Sequence, residues 1–207
     1  MKPAATTNLV IFLLLTVVVT ASALGINEAV MDAKGRPVKP NKPYFIHPAG
    51  QPEVWISRHQ RFLDIQCPQV AVLSDRHRPL SVVFLLQSGA DYVPLSTNLS
   101  IRYDAYDHCP ESGIWRVDKS SPFPTPDITA AGSVFAPDST FTIQKDNDVY
   151  KFVYESSSVG VFTEPTSLIE HLVLNPNSLD VIFVPKGDEP GYKEASSYLK
   201  TTVPFIY

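Results

Sequence analysis

Apolar residues in this chain recur two apart in short runs rather than at helical spacing. Val70–Val72, Ser81–Leu86, Leu99–Tyr103, Trp115–Val117, Phe141–Ile143, Tyr150–Tyr154, Val159–Phe162, Leu172–Leu174 and Leu179–Val184 follow this pattern. It is the signature of strands with one buried face. Nineteen prolines and nine glycines interrupt the runs, which leaves no room for a long helix. Near the start, VMDAKGRPVKPNKPYFI from Val30 to Ile46 places Asp32 before a Lys34-Gly35 turn and ends on alternating Tyr44 and Ile46. That segment predicts a strand, a polar turn and a second strand, a hairpin at the start of an all-β domain. Many short strands separated by turn residues suit a sandwich or a barrel, and periodicity does not choose between them.

The ends differ from the middle. Lys2, an apolar run from Leu9 to Val19 and a small-residue exit at Thr20-Ala21-Ser22-Ala23 predict a secretory signal peptide over residues 1–23. The run is short of the ~20 apolar residues that a membrane span needs, so a signal anchor is the weaker reading. The expected domain then covers 24–186, and 187–207 is a C-terminal extension. Lys193 to Lys200 of that extension could make a short helix, and the whole could be flexible, a sorting signal or a docked segment. The expected location is the extracellular space, or the vacuole by the same pathway.

Charge and chemistry narrow the function. A net charge of -4 without a basic block gives nucleic acid no footprint, and no later run is apolar enough for a bilayer. Motifs for acyl transfer (GxSxG), zinc peptidases (HExxH) and phosphate-binding loops are absent, so neither an enzyme nor a bound cofactor is expected. His47, His59, His77, His108 and His171 are scattered, and Asp104 and Asp107 share a strand exit where carboxylates face water. The two cysteines, Cys67 and Cys109, lack zinc-ligand spacing. In an oxidising compartment they form one disulfide most simply, worth roughly 3–4 kcal/mol on chain entropy, with a reactive thiol as the alternative. Asn98-Leu99-Ser100 is a glycosylation sequon.

Taken in order, several motifs resemble the plant Kunitz-type inhibitors, the soybean trypsin inhibitor family, with miraculin-like members nearest. Asp32 before a Gly turn and a Tyr44-x-Ile46 strand is similar to that family's N-terminal signature. Cys67-Pro68 with Val70, Arg78-Pro79-Leu80, and Leu95 to Ile101 follow in the family's order. So do Cys109 with Ile114-Trp115-Arg116-Val117-Asp118, Phe141-x-Ile143, Tyr150-Lys151, Val159-Gly160-Val161 and Leu179 to Phe183. The resemblance implies a β-trefoil: twelve strands, six closing a barrel and six capping it as three hairpins. It also implies a monomer whose partner is an endopeptidase, most simply of the serine class. One departure is that no cysteine follows the Tyr150-Lys151 strand near Glu155, so the family's usual second disulfide is missing and the third unit must rest on packing.

The family's inhibitors present a loop between the fourth and fifth strands. Here that region implies a reactive loop of Leu85, Leu86, Gln87, Ser88, Gly89 and Ala90, with the tip from Leu86 to Ala90. A competing reading has Phe84, Leu85 and Leu86 simply continue the strand. No lysine or arginine occurs from Leu80 through Ile101, so trypsin, whose pocket holds a buried aspartate, is a poor target. A basic alternative lies upstream at Asp75-Arg76-His77-Arg78. The family's loop-supporting asparagine aligns with Pro40, which leaves its neighbour Asn41 for that role. Non-inhibitory storage or pigment-binding relatives share the fold. Cys67-Pro68-Gln69-Val70 departs from the Cys-Pro-Leu-Gly run of the pigment binders. Inhibition of a cysteine protease through another loop is a further alternative.

Overall fold

The computed structural model describes residues 28–62, 65–77, 79–104 and 111–188, the side chains of 61–68 excepted. The expected signal peptide, most of the extension, Cys109 and the side chain of Cys67 lie outside the described residues. So does the expected disulfide.

The described residues form twelve strands: β1 (Tyr44–Pro48), β2 (Trp55–Phe62), β3 (Ile65–Ser74), β4 (Val82–Leu86), β5 (Leu99–Tyr103) and β6 (Arg116–Asp118). They continue with β7 (Asp127–Thr129), β8 (Thr142–Asp146), β9 (Val149–Tyr154), β10 (Ser157–Thr163), β11 (Glu170–Leu174) and β12 (Val181–Pro185). β1 pairs antiparallel with both β12 and β4. β4 pairs with β5, β8 with β9, and β9 with β12. The ring closes between β5 and β8, where Leu99 and Phe141 exchange two backbone hydrogen bonds of 2.9 Å. Closure removes the free edges that an open sheet would expose.

The other six strands form three hairpins, β2–β3, β6–β7 and β10–β11. Their inner strands meet in a triangle: Val70 pairs with Thr129, Val173 with Asp127, and Glu170 and His171 with Leu73 and Val72. A closed six-strand barrel under a triangular cap of three hairpins is a β-trefoil. The choice that periodicity left open is thereby made.

The barrel is filled by aromatic rings. Phe84, Phe152 and Phe183 pack with centroids 5.4–6.4 Å apart, and Trp115 lies edge-on to Phe152 at 5.4 Å and to Phe141 at 6.1 Å. These are the tilted and edge-to-face arrangements that aromatic quadrupoles favour. All five side chains are fully buried. In the third unit, where a second disulfide is missing, the segment after β11 lies directly on β10: Asn175 Nδ2 donates to the Val161 carbonyl at 3.2 Å, and Leu179 N–H to Val159 at 2.9 Å.

Two expectations need correction. The N-terminal turn closes on itself at Met31 and Pro37, and Tyr44 to Ile46 pair with β12 instead of with Val30. A barrel needs its first strand beside its last, so the predicted hairpin partner is taken by the C-terminal strand. Strands β2 and β7 carried no apolar alternation and were not predicted. Ser57 in β2 and Asp127 and Thr129 in β7 are polar yet buried, because the cap's centre is hydrogen-bonded as well as apolar.

Candidate functional site

β4 and β5 pair over five residues, from Val82 opposite Tyr103 to Leu86 opposite Leu99. Leu85 and Leu86 are therefore strand residues, and Leu86 packs against the core. This is the strand continuation that the competing reading gave for Leu85 and Leu86, both of them half-buried. Beyond Leu86 the chain leaves the sheet. Gln87, Ser88 and Gly89 are exposed, Ala90 is half-buried, Asp91 is exposed, and Val93 and Pro94 are buried again. Gly89 has φ +66°, a left-handed turn position that suits glycine.

Both limbs of this loop are fastened to one short segment, Val38–Asn41. On the outgoing limb, the Asn41 N–H donates to the Phe84 carbonyl at 3.0 Å. On the returning limb, Val93 N–H donates to the Val38 carbonyl at 2.8 Å, and Val30 N–H donates to Val93 at 2.9 Å. Leu95 N–H to Glu28 and Ser96 N–H to Ile143, both 2.8 Å, fix the return to β5. Asn41 is itself in the left-handed region at φ +58°, a conformation that asparagine tolerates better than most residues. Its bond to the loop base runs through the backbone N–H, where the family pattern implied side-chain support.

The segment is rigid because the turn before it is. Asp32, with its side chain almost wholly buried, accepts the Lys34 and Arg36 backbone N–H groups at 2.8 and 3.0 Å and the Arg36 Nε at 2.9 Å. Tyr44 and Tyr150 hydroxyls accept the N–H groups of Lys39 and Met31, each at 2.9 Å. On the outer side, Asp188 pairs with Lys34 at 2.7 Å and Arg36 at 2.6 Å. Lys34 and then Arg36 hold its carboxyl below the usual carboxylate range. The sequence signals for this clasp are Asp32 before Gly35 and Asn41 after a proline; its backbone bonds are invisible to any side-chain pattern.

The remaining candidates lie elsewhere. Asn98 is exposed at the entry to β5, while Ser100 of the same sequon is buried and its Oγ accepts the Phe135 N–H at 2.9 Å. The basic alternative sits at the far end of β4, in the turn after β3. Arg76 is exposed there, and Arg78 lies outside the described residues. Asp104 pairs with Lys186 at 3.1 Å, while Asp107 and His108 lie outside the described residues. Among the described residues, no group of three or more His, Cys, Asp or Glu side chains is arranged to hold a metal ion, and no helix is long and apolar enough to cross a membrane.

A β-trefoil that holds one exposed loop between β4 and β5 is the class that fold and site define. A family model of the legume Kunitz type, described as trypsin and protease inhibitor, matches residues 30–184, and the chain belongs to that family. Kunitz trypsin inhibitor 6 of Arabidopsis thaliana is 33% identical over 135 residues, 62% of this chain and 66% of that protein. Kunitz trypsin inhibitor 7 of the same plant is 32% identical over 155 residues, 70% and 76% of the two chains. Among solved structures, the water-soluble chlorophyll protein of Brassica oleracea var. Botrytis with chlorophyll b matches with a TM-score of 0.68 and 28% identity, over 76% of this chain and 98% of that one. Soybean trypsin inhibitor matches with a TM-score of 0.67 at 18% identity, over 76% and 99%, a likeness of fold.

Proposed function

We propose that this chain is a secreted inhibitor of a serine endopeptidase other than trypsin, and that it acts by inserting the exposed residues of the β4–β5 loop into the protease cleft. The observation that carries this reading is the clasp: one rigid segment holds both limbs of an otherwise exposed loop. A loop ordered before docking loses little conformational entropy on binding, which is where the affinity of such inhibitors arises. Because Leu85 and Leu86 belong to β4, Gln87 and Ser88 carry the specificity, and they suit a pocket that accepts a small or amide side chain. The protein is a monomer, enters the secretory pathway through residues 1–23, oxidises Cys67 with Cys109 and offers Asn98 for glycosylation. Its final site is extracellular or vacuolar.

Pigment binding is the second reading, motivated by the chlorophyll protein among the similar structures. The run after the first cysteine opposes it. Val70 stands where pigment-binding relatives have glycine, and its side chain is fully buried within β3.

The test is a titration of the mature protein against trypsin, chymotrypsin, subtilisin and papain, alongside a Gln87→Gly/Ser88→Gly variant. Submicromolar inhibition of subtilisin, weakened about a hundredfold or more in the variant, is the expected result, and inhibition of chymotrypsin alone would return the contact to Leu85 or Leu86. Trypsin inhibition that the variant leaves untouched would move the site to Arg76 or Arg78. Inhibition of papain alone would change the protease class. No inhibition of any of the four, in a protein that is folded, would leave a storage or binding role.

A further inference from the structure

Val134 and Phe135 stand in the connection between β7 and β8, where the chain turns sharply and gains little by being apolar. The Ala136 N–H donates to the Ser133 carbonyl at 3.1 Å, which closes a four-residue turn with Val134 and Phe135 at its centre. Phe135 has φ +57°, and a turn position with that backbone normally holds glycine or asparagine. Val134 is 48% exposed, a β-branched apolar residue open to water at the tip. The turn is nonetheless held firmly. Gly132 N–H donates to the Ile114 carbonyl at 2.9 Å, and Ser133 N–H to the Ser139 Oγ at 3.3 Å. Thr140 Oγ1 donates to the Ala136 carbonyl at 2.8 Å. A Cβ on Gly132 would stand 2.5 Å from the Ser139 Oγ and 2.8 Å from the Trp115 carbonyl oxygen, so the chain passes too close for a larger residue. Finally, the Phe135 N–H donates to the Ser100 Oγ at 2.9 Å.

That last bond puts the turn beside the β4–β5 loop. Ser100 is opposite Leu85 in the ladder, and opposite residues of an antiparallel pair share a face. Phe84, Leu99 and Ile101 fill the core, so Leu85 and Ser100 belong to the outer face. At roughly 5 Å across a pair and 3.3 Å per residue along a strand, the turn lies within about 15 Å of Gln87. A protease–inhibitor contact takes about 800 Å² from each partner, a patch about 30 Å across. The short run from Gln87 to Asp91 does not supply that area alone. Covering Ser100 accounts for the position of the turn and for the partial burial of Phe135. It does not account for the apolar tip at Val134, or for a bulky residue where the backbone favours glycine.

We propose that Val134 and Phe135 form a second contact surface for the endopeptidase that the β4–β5 loop enters, seated against apolar surface of the enzyme beside its cleft. The inference rests on the inhibitory reading of that loop. A turn that is already rigid loses little freedom on docking, and burying two apolar side chains adds affinity without filling the primary pocket. Enzymes that share a primary pocket are then told apart by whether the surface beside it is apolar or charged.

The test measures inhibition of subtilisin by the full mature protein, made in a bacterial periplasm so that no glycan at Asn98 enters the comparison. A Val134→Ser/Phe135→Asn variant keeps a residue suited to the left-handed backbone at 135. It should raise the inhibition constant about tenfold or more, chiefly through faster dissociation. Val134→Ser alone alters only the exposed tip, and should raise the constant about threefold with the urea midpoint unchanged. Leu168→Asn is the control: it removes an exposed leucine at φ +59° from the β10–β11 turn and should leave inhibition as it is. A double variant within about twofold of wild type, beside a weakened Gln87→Gly/Ser88→Gly variant, overturns this inference alone. An equal loss in Leu168→Asn overturns it too, since the effect would then not belong to this turn. Wild-type protein that does not inhibit subtilisin, or a Gln87→Gly/Ser88→Gly variant that inhibits it as wild type does, overturns the loop reading and this inference with it.

Discussion

Gly160 shows how narrowly single residues are specified here. A Cβ at that position would stand 2.2 Å from the Asn177 carbonyl oxygen and 2.7 Å from the Asn175 Cβ. Backbone cannot step aside as a flexible side chain can, so Gly160→Ala forces the segment after β11 away from β10. The expected cost is about 2–3 kcal/mol, read as a lower midpoint in urea unfolding with an unchanged slope. Ser88 is the opposite case, exposed and free of the core. Ser88→Arg should leave stability within about 0.5 kcal/mol while placing a cation where the loop enters a cleft. If the loop reading holds, trypsin inhibition should appear or strengthen by about a hundredfold, because the pocket's buried aspartate then has a partner. A folded Ser88→Arg protein with no effect on trypsin would remove Ser88 from the contact. At Asn41, the left-handed backbone makes Asn41→Val cost about 1–2 kcal/mol, and Asn41→Gly should be nearly neutral. Loss of inhibition in the valine variant alone would tie that backbone to the function of the loop.

At the scale of elements, β5 and β8 are joined through the bridge at Leu99 and Phe141 rather than through an extended ladder, as β1 and β4 and β9 and β12 are joined through single pairs. The Leu99 and Phe141 side chains are fully buried, and Phe141 is edge-on to Trp115. Phe141→Ala should therefore cost about 3–5 kcal/mol, measured by chemical denaturation, and should raise exchange at the Leu99 amide more than at the β1–β12 seam. The strands that show in the sequence are those, such as β5 and β9, whose alternation turns an apolar face to the barrel interior. β2 and β7 escaped because the cap buries Ser57, Asp127 and Thr129, and hydrogen bonding to distant strands leaves no local periodicity. The loop shows the same limit. Phe84-Leu85-Leu86 is a run of three apolar residues, and only pairing with β5, more than ten positions away, ends the strand at Leu86. The lack of a cation in the loop was legible directly. The clasp of Val38–Asn41 was not, because its bonds to Phe84 and Val93 are made by backbone that any sequence supplies.

For the whole molecule the decisive contact joins the two ends of the described chain. β1 and β12 pair over five residues, from Tyr44 opposite Pro185 to Pro48 opposite Val181, and the N-terminal turn adds Ala33 N–H to the Phe183 carbonyl at 2.8 Å. Just past β12, Asp188 ties Lys34 and Arg36, the turn that supports the loop clasp. The barrel cannot close until the last strand is in place. Such long-range pairing is slow to form, on a scale of about milliseconds to seconds. Two truncations separate the role of this strand from that of the residues after it. Ending the chain after Asp180 removes β12, bares the rings of Phe84 and Phe152 that pack on Phe183, and should abolish cooperative unfolding by circular dichroism. Ending it after Asp188 retains the strand and both ion pairs, and should change stability by less than about 1 kcal/mol. Adding Asp188→Asn to the longer truncation should loosen the clasp without opening the barrel, seen as faster exchange at the Asn41 and Val93 amides while Phe45 and Phe183 remain protected. If the longer truncation also fails to fold cooperatively, residues beyond Asp188 take part in the fold, and β12 is not sufficient to close the barrel.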